Sequence, residues 1–250
     1  MPDIAGKIRE LSEKYALAQV TDVKVGEKEV VLETKDQGKI VFSWNFEEGL
    51  KAGEVPLYPW RARRGYLEMA NLLKAGTVEV PLAIRVKNVQ RAGRYTAGLK
   101  SVLLREIDLS EQLLCGDRMI RVFSDVSEKL PYMNALCATE KGIKISMELG
   151  VTDTREPVEL HEVVCRSGII TDTSADTQVR QYPIYLYKKD GEEVSIDTDY
   201  ELYDFPEDDR DAVRFILKTL SQKDGGKAVR ADYDRQMKLA APAMKGGMCE

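Results

Sequence analysis

Between Arg118 and Thr198 the chain breaks into seven strand-like runs: "RMIRVFSDV", "MNALCATE", "GIKISMELG", "VELHEVVC", "GIITDT", "YPIYLYKK" and "EEVSIDT". Each is short, and a few turn residues separate it from the next. Strands at this density pair mostly antiparallel, because a parallel neighbour needs a long crossover. Asp190-Gly191 suits a hairpin turn. The pattern predicts a large, mostly antiparallel open sheet.

Helices flank these runs. Ile4, Ile8, Leu11 and Tyr15 recur at helical spacing and predict an amphipathic helix over residues 3–16. Two strands follow, "VVLETK" and "KIVFSW", joined at Asp36-Gln37-Gly38 as a hairpin with Val30 and Leu32 facing Ile40 and Phe42. The breaker-rich "EEGLKAGEVPLYP" marks a boundary, which gives an N-terminal extension over 1–55 and a domain over 56–250. "RGYLEMANLLKA" reads as a helix ended by Gly76, and Val80, Leu82, Ile84 and Val86 alternate in the strand after it. Leu103, Leu104, Ile107 and Leu114 form the stripe of a central helix that stops at Gly116. "FPEDDRDAVRFILKTL" opens with Pro206 and acidic residues suited to a helix N-terminus, and "ADYDRQMKLAAPAM" closes the chain. The predicted class is α+β, with helices packed on one face of the sheet.

The 250 residues carry a net charge of −5, 43% hydrophobic and 32% charged side chains. This is the profile of a globular protein, and it gives no reason to expect nucleic acid or a membrane as partner. No apolar run has the length of a signal peptide or a membrane span, so the expected location is cytoplasmic. Cys115, Cys137, Cys165 and Cys249 show no C-x-x-C spacing, and His161 is the sole histidine. A structural zinc needs close pairs of N/S ligands, so no metal is expected. The cysteines read as reduced, packed thiols, with Cys249 exposed.

From about Leu57 onward, the order of elements resembles the C-terminal domain of the Gfo/Idh/MocA oxidoreductases. "RRGYLEMANLLKAGTVEVPLAIR", "LLREIDLSEQLLCGD", "MNALCATEKGIKISMELG" with "ELHEVVCRSGIITD", and "RDAVRFILKTL" with the last helix carry the likeness, over about three-quarters of the chain. The resemblance implies an NAD(P)-dependent dehydrogenase of sugars or cyclitols. The departures imply the opposite. The family's N-terminal Rossmann domain carries a Gly-rich phosphate loop and a lysine in an E-K-P motif. The 55 residues here have no G-x-G-x-x-G, and each βαβ unit alone needs about 30 residues. Counting back from Ile107-Asp108-Leu109 puts Arg105 at the family's histidine position and Ser101 at its aspartate position. Arginine stays protonated and cannot shuttle a proton.

Candidate site residues follow. Trp60, Arg61, Arg63 and Arg64 form either a guanidinium clamp for an anion or a solvated helix start. Arg105, with Ser101 and Asp108, forms either an anion pocket in a retained cleft or, with Glu106, a salt-bridged surface turn. In the pocket reading Arg105→Ala loses anion binding and leaves the fold intact. His161 reads as a packed or surface residue. Tyr182, Tyr185 and Tyr187 read as interface or core, and "PEDDRD" as a helix N-terminus. No catalytic residue, cofactor or metal ligand is expected. The leading expectation is a non-catalytic, oxidoreductase-like protein, a homo-oligomeric assembly module or small-anion binder. It assembles through the sheet face around residues 182–187, as the resembled family does. The alternative is the substrate-binding subunit of a split oxidoreductase, with a separate Rossmann-domain protein as partner.

Overall fold

The computed structural model describes the chain apart from residues 1–2, 18, 115, 128, 154–156, 174–183, 189–190, 196–200, 203–204 and 250. Of 184–188, 191–195 and 247–249 only the backbone is described. In chain order the elements are α1 (Ile4–Lys14), β1 (Val20–Val25), β2 (Glu29–Thr34), β3 (Gly38–Ser43), β4 (Val55–Pro56), a 3-10 turn (Pro59–Ala62), α2 (Arg64–Lys74), β5 (Pro81–Gln90) and α3 (Leu99–Leu113). Then come β6 (Met119–Val126), β7 (Tyr132–Thr139), β8 (Lys144–Val151), β9 (Val158–Cys165), β10 (Ile169–Thr171), β11 (Ile184–Lys188), β12 (Gly191–Ser195), α4 (Glu207–Leu220), α5 (Gly225–Ala243) and β13 (Gly247–Cys249).

The chain divides into two compact units, Met1–Ala62 with Asp199–Arg235 and Arg63–Thr198 with Gln236–Glu250. The sequence reading drew its boundary between 55 and 56 and kept α4 in the second part. The difference has a packing cause. The apolar stripe of α4 lies against the first unit, where Phe215 meets the ring of Phe42 edge-on at 6.4 Å.

The first unit holds a four-stranded sheet in the order β1-β2-β3-β4. β2 and β3 pair antiparallel with Val30 opposite Phe42 and Leu32 opposite Ile40, the four apolar residues facing one another as expected. Gly38, at the turn, has φ +70°, a conformation that costs glycine little. Phe46, Tyr58, Trp60 and Tyr233 form a buried aromatic group, with Trp60 stacked on Tyr58 at 4.8 Å.

The second unit is built on a nine-stranded sheet, β12-β11-β10-β9-β5-β8-β7-β6-β13. Among its described strands only β5 and β8 pair in parallel. The reason is α3, which follows β5 and carries the chain out to β6, so that β7 and β8 return to β5. The class is the predicted α+β. One face of the sheet is apolar: Ile84 and Val86 of β5, Met147 and Leu149 of β8, and Met133 and Ala135 of β7 are all buried. Val80, just before β5, and Leu82, near its start, remain 59% and 54% exposed, so the expected apolar face is buried only in the later part of the strand. α3 packs on β5 and β8.

α3 departs from the expected one-sided stripe. Arg105, Glu106, Asp108, Ser110 and Glu111 are buried along with its apolar residues. The reading of Arg105, Glu106 and Asp108 as a surface turn is therefore corrected. The charges are tolerated inside because partners reach them: Gln236 Nε2 donates to Asp108 at 2.8 Å and to Glu111 at 3.1 Å. Cys137 and Cys165 are buried thiols, pushed up by burial to about 12 and about 11, as expected of packed residues. Cys115 and the side chain of Cys249 lie outside the described residues. Among the described residues no helix is long and apolar enough to cross a membrane.

Candidate functional site

β9 lies antiparallel to β5, with His161 opposite Val86. Strand alternation turns Glu159, His161 and Val163 to the same face, the face that α3 covers. Asp172 follows β10 and is tied to β9 twice. Its backbone N–H donates to the His161 carbonyl at 3.2 Å, and its Oδ1 accepts from the His161 N–H at 2.7 Å. α3 brings Arg105 and Glu106, and α2 brings Tyr66. These elements converge on one imidazole.

His161 is fully buried. Its Nδ1 lies 2.5 Å from Asp172 Oδ2 and its Nε2 lies 2.7 Å from Glu106 Oε2. The other Glu106 oxygen accepts from Asn88 Nδ2 at 2.5 Å. The Tyr66 ring meets the imidazole edge-on, with centroids 5.1 Å apart. Next to it, Glu159 accepts hydrogen bonds from Tyr66 Oη and Arg105 Nη2. Arg105 Nη2 also donates to Tyr66 Oη at 3.0 Å. Arg63 lies 3.5 Å from Glu159, with its guanidinium over the Tyr66 ring at 5.4 Å. The side chains of Glu159, Asp172 and Arg63 are 29%, 16% and 17% exposed, so they form the solvent rim, while His161 and Glu106 form the floor.

Burial alone would strip the proton from His161. The Glu106 and Asp172 carboxylates outweigh it and push the imidazole up to about 10. Burial likewise opposes a charged Glu159, but Arg105 and Arg63 hold it well below the usual carboxylate range. Burial and Glu159 push the Tyr66 phenol well above its ordinary value. Three carboxylates face three cationic groups. This arrangement fixes charge; it offers no group poised to exchange a proton near neutral pH. It can also accept a cation, since one ligand atom each from Glu159, His161 and Asp172 lies within 4.8 Å of the others.

The seven sequence candidates fall in different places, with Arg64 opening α2. Arg105 and Arg63 meet at Glu159. Ser101 closes the first turn of α3: its Oγ accepts from the Gly98 N–H at 3.0 Å and donates to the Gly98 carbonyl at 2.7 Å. Asp108 is held by Gln236. Trp60 and Arg61 belong to the other unit, where Trp60 is buried and Arg61 pairs with Asp232 at 2.8 Å. Tyr66, Glu159 and Asp172 were missed, and His161 was read as merely packed or at the surface. One signal was available: Glu159 and His161 share a strand face with the apolar Val163, and a charge on such a face needs a buried partner.

No family model matches the chain, and no curated protein matches it. Solved structures do. An oxidoreductase from Agrobacterium radiobacter in complex with NAD+, L-tartaric acid and magnesium aligns at TM-score 0.58 and 12% identity, over 79% of this chain and 64% of that one. Myo-inositol dehydrogenase from Lactobacillus casei, in complex with NAD(H) and myo-inositol, aligns at TM-score 0.53 and 15% identity, over 82% and 63%. The chain shares their fold. An oxidoreductase from Pseudomonas syringae aligns at TM-score 0.56 and 10% identity, over 78% and 64%. These neighbours are Gfo/Idh/MocA-type oxidoreductases, as the resemblance implied. The chain spans less than two-thirds of the length of each of the three.

Proposed function

We propose that the chain is a non-catalytic, oxidoreductase-like module that assembles with a second copy through the open face of its nine-stranded sheet. One observation carries the reading: that face is patterned in rows. In the middle row Phe123 pairs with Leu136, 49% and 62% exposed, followed by Ser146 of β8. On one side of it run Arg121, Ala138 and Lys144; on the other run Asp125, Asn134 and Glu148. A two-fold axis along the middle row lays apolar on apolar, Arg121 over the partner's Asp125, and Lys144 over the partner's Glu148. An isologous contact needs this self-complementarity. The sequence expectation rested on residues 182–187 instead. Of these, Tyr182 and the side chains of Tyr185 and Tyr187 lie outside the described residues.

The anion-binding half of the expectation has less support. The Arg105 guanidinium is already engaged by Glu159 and Tyr66. The same ion pair argues against proton transfer at this position. The split-oxidoreductase reading has one observation in its favour, the likeness of fold to structures solved with NAD+ or NAD(H). It requires a partner chain to bring the cofactor.

Light scattering coupled to gel filtration tests the proposal. The expected mass is twice the 28.2 kDa of one chain. Leu136→Asp places a charge in the middle row and is expected to give the single-chain mass with an unchanged circular dichroism spectrum. A wild-type protein that stays at 28.2 kDa at tens of micromolar overturns the reading.

A further inference from the structure

We propose that Glu159, His161 and Asp172 form a binding site for one divalent transition-metal ion of the zinc type. The inference is independent of the assembly reading. Catalytic-type zinc sites use three protein ligands and leave the fourth position to water. Here the three ligand atoms are one imidazole nitrogen and two carboxylate oxygens, a donor set that suits zinc, cobalt or iron(II) better than magnesium or calcium. Nδ1 of His161 lies 2.5 Å from Asp172 Oδ2 and 4.0 Å from Glu159 Oε1. With bonds of about 2.0–2.2 Å to each donor, tetrahedral ligands stand roughly 3.3 Å apart. Opening the first gap and closing the second by less than about 1 Å gives that spacing at His161, and the two carboxylates, which stand within 4.8 Å of each other, close around the ion from the rim.

The surroundings are those of a metal-binding histidine. A ligating imidazole nearly always donates its other ring N–H to a carboxylate, a backbone carbonyl or water. His161 Nε2 has Glu106 at 2.7 Å, fully buried, and Glu106 is itself fixed by Asn88 at 2.5 Å. That chain sets the tautomer with the proton on Nε2 and turns Nδ1 towards Asp172. The two carboxylate ligands are the partly exposed members of the cluster, 29% and 16%, so the rim is the side from which an ion would enter. Glu159 Oε1 already accepts from Tyr66 and Arg105, so the ion takes the place of one of these donors, and the remaining arginine charge offsets the two carboxylates. Binding exchanges a proton for the ion: the N–H bond at Nδ1 breaks, an N–metal bond forms, and the proton leaves to solvent. No oxidant or reductant takes part.

The test uses untagged, full-length protein treated with chelator and then titrated with Co2+ and Zn2+. One Co2+ per chain is expected at micromolar concentration, with visible absorption bands of a nitrogen- and oxygen-ligated ion that Zn2+ abolishes by displacement. Asp172→Asn and Glu159→Gln, both at the rim, are each expected to weaken binding at least tenfold. Glu106→Gln, acting through the imidazole, is expected to weaken it about 10- to 100-fold. The proposal is overturned if wild-type protein takes up no stoichiometric Co2+ at a hundred micromolar. It is equally overturned if Asp172→Asn and Glu159→Gln bind as the wild type does, since the ion then sits elsewhere. The wild-type titration decides even where a variant does not fold.

Discussion

Arg105→Ala is expected to destabilise the protein by about 3 kcal/mol, the lower end of the roughly 3–5 kcal/mol that follows removal of one partner from a buried ion pair. The guanidinium is 6% exposed and holds both Glu159 and the Tyr66 hydroxyl. Its removal leaves a carboxylate and a phenol facing each other in a space with little water. Two features keep the cost at the lower end. Glu159 is 29% exposed, and Arg63 stays 3.5 Å away. Both bonds leave from Nη2; Arg105→Lys keeps the charge but carries it on a shorter, more strongly hydrated head, so an intermediate loss is expected. Urea unfolding of the three proteins measures both. The pocket reading of the sequence implies no loss from Arg105→Ala, and a variant as stable as the wild type would support it against the ion-pair account.

The second large effect is alkaline destabilisation centred on His161. Its folded value of about 10 lies above the ordinary 6.5. A raised cation stabilises the fold fully below pH 6.5, and the contribution falls as pH rises and is lost above about 10. Between these limits the folded state holds one proton that the unfolded state has released, so stability falls by about 1.4 kcal/mol per pH unit. From pH 7 to 8.5 the loss is about 2 kcal/mol. This window lies below the ordinary cysteine value of 9, so ionisation of unfolded Cys137 and Cys165 adds little. Every charged or titratable group of the cluster enters the account: Glu106 and Arg105 from α3, Glu159 from β9, Asp172 after β10, the neutral phenol of Tyr66 from α2 and Arg63 just before it. Chelator-treated protein, unfolded in urea at pH 7.0, 7.75 and 8.5, is the material to use. His161→Gln is expected to flatten the slope. A slope equal in wild type and variant means that His161 is neutral in the fold.

The sequence made some features legible and hid others for physical reasons. The matching of the hairpin's apolar faces could be read because Val30, Leu32, Ile40 and Phe42 alternate, and a slip by one residue would turn each of them to the wrong face. The large sheet could be read from the spacing of its strands. β1 was missed because Val23 alone is buried in it, so it has no apolar alternation. The depth of α3 was hidden because Arg105, Glu106, Asp108 and Glu111 look like a solvated face. Their partners Glu159, His161 and Gln236 come from remote parts of the chain. A spacing argument sees neighbours on one element. It does not see an imidazole on a strand held between a helix carboxylate and an aspartate beyond the next strand.

The most direct test of the assembly account is a charge-reversal cycle on the open sheet face. Arg121 and Asp125 stand on β6 on either side of the apolar row, so two-fold pairing sets Arg121 of one copy against the partner's Asp125. Arg121→Glu alone and Asp125→Arg alone each create like-charge contacts, and the double variant restores opposite charges on both sides of the axis. Masses measured by light scattering at tens of micromolar are expected to be twice 28.2 kDa for the wild type and the double variant, and 28.2 kDa for each single variant. A wild type of single-chain mass, or a double variant no more associated than the singles, contradicts the account.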